Sequence, residues 1–444
     1  MDRETVTPQV DELPGPRARE RVEYHGSFAA PSTYVYEFVW DVTAPAIGPF
    51  CTDADGNVLL DFTGHVGAAP LGYNNPELLE RMEAFDLVDP LKIAGQDFYT
   101  TAGDPGNPEF PGPGELMERL VDVTPDGMDT VFLSNSGAEA VENALKICYD
   151  RTGGKYGITF EGAFHGRTLG ALSLNRSKEV YRRQFPELGS IHDVPFCRDR
   201  QCTPGTCECG FFAGDTSQLR RMLDDETGHV NADEVAYLVM EPIQGEGGYY
   251  APSDAFMTEV AEVCEQHDLL LIADEIQSGL GRTGEFWASD HYPIEPDVIC
   301  AAKGARVGAT VASEDVFPDE ESRLSSTWGA GDIVASLQGA LTIDVIREED
   351  LLGNAVRRGE QATSELAAAA VPNAVDVRGR GLMLGVEFDS KERRDDVQDE
   401  AMKRGLLTLG CGHRTLRLLP PLDVREREIT MAVELLSEAA DAAA

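Results

Sequence analysis

The 444-residue chain is 42% apolar, enough for one large core and a smaller second one. Its 78 acidic residues outnumber 37 basic ones, for a formal charge of -41 spread along the chain without an acidic tail, a surface that repels nucleic-acid phosphates and anionic membranes. No apolar run approaches bilayer length, and the opening MDRETVTPQVDELPGPRARERVEY is polar where a signal peptide is greasy, so a cytoplasmic protein is expected, in a high-salt cytoplasm that screens self-repulsion.

Residues 1–30 carry Pro and charge without periodicity and read as an N-terminal arm. Phe50 to Asp61 reads as a hairpin turning at Asp-Ala-Asp-Gly-Asn, and a helix opens near Pro76. Residues 31–75 are therefore expected to begin a small domain, 76–332 to form a large one, and 333–444 to complete the small one. Residues 86 to 126, with AGDPGNPEFPGPGE, read as a long irregular loop before a helix at Glu115 to Val123.

Thr130 to Leu133 is a short strand; Ser134, Asn135, Ser136 and Gly137 make a turn, and Val141, Leu145 and Cys148 recur at helical spacing. A strand, a small-residue turn and a helix start form an anion site, because free backbone N–H groups and the helix dipole converge there, although the same residues serve an ordinary N-cap. Tyr156 to Phe160 is the next strand, followed by EGAFHGRTLGALS. Phe164 and His165 offer flat faces just past its end, and Arg167 a bidentate fork for a carboxylate.

Cys197, Cys202, Cys207 and Cys209 crowd into PFCRDRQCTPGTCECGFF, four of nine cysteines, in a Cys-rich insertion at 195–212. Thiolates on Pro and Gly turns suit a zinc ion or an iron–sulfur cluster, yet the spacing matches no standard pair of Cys-x-x-Cys knuckles. Reduced thiols or a single labile disulfide are the alternatives.

Ala236 to Met240 is a buried strand ending in EPIQGEGG, which puts Glu241 and Glu246 beyond the sheet edge. Two further apolar runs, Leu269 to Ala273 and Val298 to Ala302, end abruptly in Asp274 and Lys303. Ligands of doubly wound sheets sit beyond the carboxyl ends of the strands, so this acid and amine should face one pocket. Pyridoxal phosphate is the chemistry that uses such a pair: a lysine forms a Schiff base with its aldehyde, and a carboxylate keeps its ring nitrogen protonated. The chain has only seven lysines, and one of them follows an apolar run. Gln277 reaches the ring hydroxyl if the chain turns into a helix after Asp274; otherwise it is a solvated amide.

Helices are expected through Ile333 to Ile346 and Ala355 to Ala369, then VDVRGRGLMLGVEF as a strand pair, Arg417 within the strand TLRLL, and a closing helix with Ile429, Val433 and Leu436 on one face.

With SNSGAEAVENALK, FHGRT, EPIQGEGG, ADEIQSGLGRTG, STWGAGD, VRGRGL and TLRLLPP in hand, the chain resembles the class III aminotransferases of the fold-type-I pyridoxal-phosphate enzymes from about Tyr34 onward. The resemblance implies an α/β fold with a mostly parallel seven-stranded sheet and a smaller α+β domain built from both chain ends. It implies Lys303 as the Schiff-base lysine, Asp274 as the pyridinium partner, Gln277 at the ring hydroxyl, Phe164 stacked on the ring, and Ser136, Gly137 and Ala138 on the phosphate. It further implies that Thr327 reaches that phosphate from a second subunit, making the enzyme a homodimer or a larger assembly, and that Arg167 and Arg417 bind carboxylates, with Glu246 paired to Arg417. His165 and Glu241 complete the expected cofactor shell.

Gly304 to Gly308 replaces a common glycine-rich run with Pro, and Gly-Ala-Gly-Asp at 329–332 replaces a common Gly-Asn-Pro. Both departures look more like 4-aminobutyrate and lysine ω-aminotransferases than acetylornithine enzymes. The implied reaction moves an amino group from an ω-amino acid to a 2-oxo acid such as 2-oxoglutarate. An amino-acid racemase or a lysine/ornithine aminotransferase on the same scaffold is the alternative.

Overall fold

The computed structural model describes residues 1–32, 38–85, 95–98, 100 and 111–443. It divides into two compact units, one of Glu80–Leu352 and one of Met1–Leu79 with Gly353–Ala444, so the smaller unit is built from both chain ends.

The larger unit is organised on a seven-stranded sheet in the order Thr130–Ser134, Gly308–Ala312, Val298–Ala301, Leu270–Asp274, Val235–Met240, Tyr156–Phe160, Ser190–Val194. Neighbours run parallel except Gly308–Ala312, which is antiparallel to both of its partners. Only six residues separate it from the preceding strand, too few for the crossover that a parallel pair needs. Val235–Met240, Val298–Ala301 and Gly308–Ala312 are buried at every position, as strands covered on both faces must be. In Val235–Met240 the two-residue alternation sends Tyr237 and Val239 to the core under helix Gly137–Thr152, and Leu238 and Met240 to the core under helix Asp254–His267.

Helix Ile333–Glu348 belongs to this larger unit, a correction to the expected boundary at 333. Ten of its sixteen residues are buried, and a helix apolar nearly all round must be enclosed. It packs on helix Pro113–Asp122, where Arg119 and Asp344 pair at 2.9 Å, and on the turn carrying Lys303, where a Cβ on Gly339 would lie 2.3 Å from the Ala305 carbonyl oxygen. Of the loop expected at 86–126, residues 86–94, 99 and 101–110 lie outside the described residues.

The smaller unit holds a sheet of Phe50–Thr52, Val58–Asp61 and Leu406–Leu407, and another of Ala374–Arg380, Met383–Phe388, Thr415–Leu418 and Leu409–Cys411. The hairpin and the strand pair lie where the sequence put them. The N-terminal arm is tied into this unit: Arg3 is buried and pairs with Asp423 at 2.6 Å and Glu428 at 2.7 Å, while Gln9 bridges to Val58. The partners of Arg3 are 420 and 425 residues distant in sequence, so local pattern could not reveal them.

Candidate active site

Asp274 closes its strand opposite Cys300 in the neighbouring parallel strand, so both strands end at one edge of the sheet. The Glu275 N–H donates to the Cys300 carbonyl at 2.9 Å and ties the two ends together. Lys303 follows three residues beyond Cys300, at most about 10 Å of extended chain, and is half-buried in the short 3-10 turn Lys303–Ala305. A Cβ on Gly304 would meet Leu280 at 3.0 Å, so the loop beyond Asp274 packs directly on the lysine's turn.

Asp274 and His165 form a buried pair, Nδ1 to Oδ2 2.7 Å, with side-chain exposures of 3% and 0%. Burial pushes the His165 imidazolium toward the neutral form, but the hydrogen bond and charge of Asp274, helped by Glu241, carry its pKa above the ordinary value. The second Asp274 oxygen accepts the Ile276 N–H at 3.1 Å. His165 therefore meets the site through Asp274, and its own Nε2 is buried with no hydrogen-bond partner among the described residues. Glu241 accepts the N–H groups of Phe164 at 3.0 Å and Gly245 at 2.9 Å, which fixes the Phe164 loop, and burial raises its pKa to about 7. Glu275, which sequence reasoning passed over, is also buried and raised by burial to about 7; it accepts from Ser278 Oγ and the Ser289 N–H.

Ser136 caps helix Gly137–Thr152 by accepting the Glu139 N–H at 3.2 Å. The N–H groups of Gly137 and Ala138, in the helix's first turn, have no intrahelical carbonyl to bond and face the positive end of the dipole. Three glycines bring the strand-end loops together here. Added Cβ atoms would meet Ile276 at 2.8 Å from Gly137, the Ala138 Cβ at 2.7 Å from Gly166, and the Ser136 carbonyl oxygen at 2.3 Å from Gly308. Thus the Ser136 turn, the Asp274 loop, the Phe164 loop and the strand after Lys303 converge on one place. Thr327 is exposed in the larger unit; its carbonyl accepts the Ala330 N–H, and the neighbouring Trp328, 60% exposed, accepts Asn135 Nδ2 through its own carbonyl.

Phe164 packs edge-on to Tyr181, centroids 5.5 Å apart, and the exposed Arg167 lies over both rings, at 5.5 and 4.7 Å. Tyr181 Oη donates to Glu246 at 2.9 Å, and Lys178 pairs with the same carboxylate at 2.5 Å. Sequence reasoning missed both Tyr181 and Lys178; the scarcity of lysine was the available signal for the second. Within the larger unit Glu246 is thus held by Lys178 and Tyr181, partners that the resemblance did not supply. Arg417 lies in the smaller unit, buried within Thr415–Leu418 opposite Gly385 and Leu409. Gln277 lies in a turn, so the helix on which its reach to the ring hydroxyl was made conditional does not form there, and its Oε1 is 2.5 Å from where a Gly245 Cβ would be. The four clustered cysteines follow the edge strand Ser190–Val194.

Pyridoxal phosphate fits this set of residues. The glycine-lined helix N-terminus suits its phosphate, the buried Asp274 its pyridinium, and the half-buried Lys303 its aldehyde. The comparisons with known proteins agree. Residues 37–440 match the family model described as aminotransferase class-III. Acetylornithine aminotransferase of Methanopyrus kandleri is 34% identical over 400 residues, 89% of this chain and 93% of that one. Putrescine aminotransferase of Pectobacterium atrosepticum is 32% identical over 416 residues, 88% and 79% of the two chains. Among solved structures, lysine aminotransferase from M. tuberculosis superposes with a TM-score of 0.81 at 29% identity, covering 96% of this chain and 99% of that one. The chain belongs to the class III aminotransferases, pyridoxal-phosphate-dependent enzymes of fold type I.

Proposed function

We propose that this enzyme transfers the terminal amine of an ω-amino acid of the 4-aminobutyrate, ornithine or lysine type to a 2-oxo acid such as 2-oxoglutarate. The observation that carries the reading is the convergence of Lys303 and the His165-clamped Asp274 at the ends of adjacent strands, beside a helix N-terminus built for an anion.

When bound, the cofactor supplies an electrophilic aldehyde and a ring that draws electrons from the substrate carbon. Lys303 Nζ would anchor it at the aldehyde and would move the proton at the substrate carbon. Asp274, held by His165, keeps the ring nitrogen protonated. The Gly137 and Ala138 N–H groups and Ser136 would hold the phosphate, and Gln277, on a turn and not a helix, keeps its place at the ring hydroxyl on the family resemblance alone. Phe164, fixed through its N–H by Glu241, covers a ring face. Arg167 and Arg417 take substrate carboxylates, with Glu246 tuning the charge around them. Thr327, exposed beside the Ser136 turn, is offered to a partner subunit's phosphate, which requires a homodimer. The acidic surface suits a high-salt cytoplasm.

A half-reaction screen tests the donor: 4-aminobutyrate, ornithine, lysine, putrescine and alanine, each mixed with the cofactor-loaded enzyme and followed by absorbance. We expect conversion by ω-amino acids and none by alanine. Conversion by alanine alone, or inversion of chirality without any 2-oxo acid, contradicts the proposal.

A further inference from the structure

The loop that follows the edge strand Ser190–Val194 has a feature that the transaminase chemistry does not use. Residues 195–211 contain neither helix nor strand, so no backbone ladder offsets the entropy of ordering them. They are nonetheless anchored: Phe196, Cys197, Cys202 and Phe211 are buried in the core under helix Asp254–His267. Between Cys202 and Cys207 the chain reverses at Thr203–Thr206, where the Thr206 N–H donates to the Thr203 carbonyl and the Thr203 N–H to Thr206 Oγ1. That reversal returns the second pair of cysteines to the first.

The Sγ atoms of Cys197, Cys202 and Cys209 lie within 4.8 Å of one another, the one such group of three potential metal ligands among the described residues. Cys202 and Cys209 are 3.9 Å apart, and Cys207 joins them 3.3 Å from Cys209. No disulfide forms, and all nine cysteines are free thiols. A tetrahedral ion with metal–sulfur bonds of about 2.3 Å sets its thiolates about 3.8 Å apart; the Cys202–Cys209 pair has that spacing at 3.9 Å, and the other thiols lie close enough to reach it by small side-chain rotations. A disulfide needs about 2.05 Å, and an iron–sulfur cluster interposes several atoms and spreads its ligands further.

The surroundings suit thiolates. Phe212 donates its N–H to Cys207 Sγ at 3.3 Å, and Ser253 Oγ stands 3.7 Å from Cys197 Sγ. Cys197 also donates to the Asp199 carbonyl at 3.1 Å, a bond that metal binding gives up.

We propose that Cys197, Cys202, Cys207 and Cys209 bind one zinc ion as a tetrathiolate that staples this loop to the edge of the large sheet. The role is structural: the site is closed by four protein ligands and leaves no position for substrate. On binding, the thiols release their protons to solvent and no electron is transferred.

The test uses the full-length, pyridoxal-phosphate-loaded enzyme, purified without metal-affinity resin from zinc-supplemented cells. Elemental analysis should give about one zinc per chain for the parent and a near-complete loss for Cys202→Ser and Cys209→Ser, as a four-ligand site demands. A Cys264→Ser control should keep its zinc. Cys209→Ser should retain cofactor and transaminase rate within about twofold while its Tm falls, since the metal contributes folding energy rather than chemistry. Should the variants fail to fold, metal-stripped and reduced parent titrated with cobalt(II) should develop thiolate-to-metal and tetrahedral d–d bands that saturate at one equivalent. Parent protein that is metal-free and gives no cobalt bands overturns the proposal. So do zinc retained in both serine variants, a disulfide found among these cysteines by mass spectrometry, or iron with sulfide in place of zinc.

Discussion

His165 is the sharpest place to perturb the site without touching the proposed cofactor anchor. Its Nδ1 lies 2.7 Å from Asp274 Oδ2, and neither side chain is more than 3% exposed, so solvent does not compete for this bond in the folded enzyme. A hydrogen bond to a charged group contributes roughly 1.5–3 kcal/mol, and the low dielectric of a buried site favours the upper part of that range. If Asp274 must be held in place to keep the ring nitrogen protonated, His165→Ala should lower kcat by about 10- to 150-fold, each 1.4 kcal/mol being a factor of ten. Lys303 is untouched, so cofactor stoichiometry should stay near that of the parent. His165→Asn, which can present an amide nitrogen where Nδ1 stood, should recover most of the lost rate. The assay is the single-turnover half-reaction with the amino donor, followed by cofactor absorbance, alongside Tm for each variant. A His165→Ala rate within twofold of the parent, or no recovery by Asn at equal Tm, refutes the positioning role.

Glu275 gives a pH signature of stability. Burial raises its pKa from the ordinary 4.5 to about 7, so between those values the folded state holds a proton that the unfolded state has lost. Stability should therefore fall as pH rises from about 4.5 to about 7, by on the order of 3 kcal/mol from this group, and Glu275→Gln should flatten the profile; an unchanged slope of Tm against pH contradicts it. Arg167→Ala should raise KM for the 2-oxo acid about tenfold with kcat nearly unchanged, the pattern of lost uniform binding; a lowered kcat at constant KM would place Arg167 elsewhere. The charge of -41 predicts that Tm climbs steeply between dilute buffer and molar KCl, as the Debye length shrinks from about 30 Å at 0.01 M to about 3 Å at 1 M. A Tm indifferent to salt removes the high-salt reading.

Much of this site was readable from the chain because its residues cluster where apolar runs stop. Asp274 closes a strand, the Ser136 turn and Lys303 come two residues after others, Phe164 four after another, and strand ends are where such sheets bind ligands. What stayed hidden depends on contacts distant in sequence. Nothing local indicates that His165 serves Asp274, 109 residues away, rather than the cofactor. Tyr181 sits in a four-residue helix with no buried residue, so no periodicity marked it, and Lys178 acquires meaning only beside Glu246, 68 positions on. Glu275 was passed over because only the tertiary fold buries it. The misplaced boundary at 333 had a visible cue: IVASLQGALTIDVI is apolar on too many sides for the outer helix of a small domain.

The most direct test of the whole scheme is the visible spectrum of purified Lys303→Ala beside the parent, both reconstituted with pyridoxal phosphate. We expect a coloured parent that bleaches on adding an amino donor, and a variant that lacks both the lysine-linked chromophore and turnover. A variant with the parent's spectrum, or a parent that stays colourless after reconstitution, would contradict the assignment of Lys303 and Asp274 as the catalytic pair.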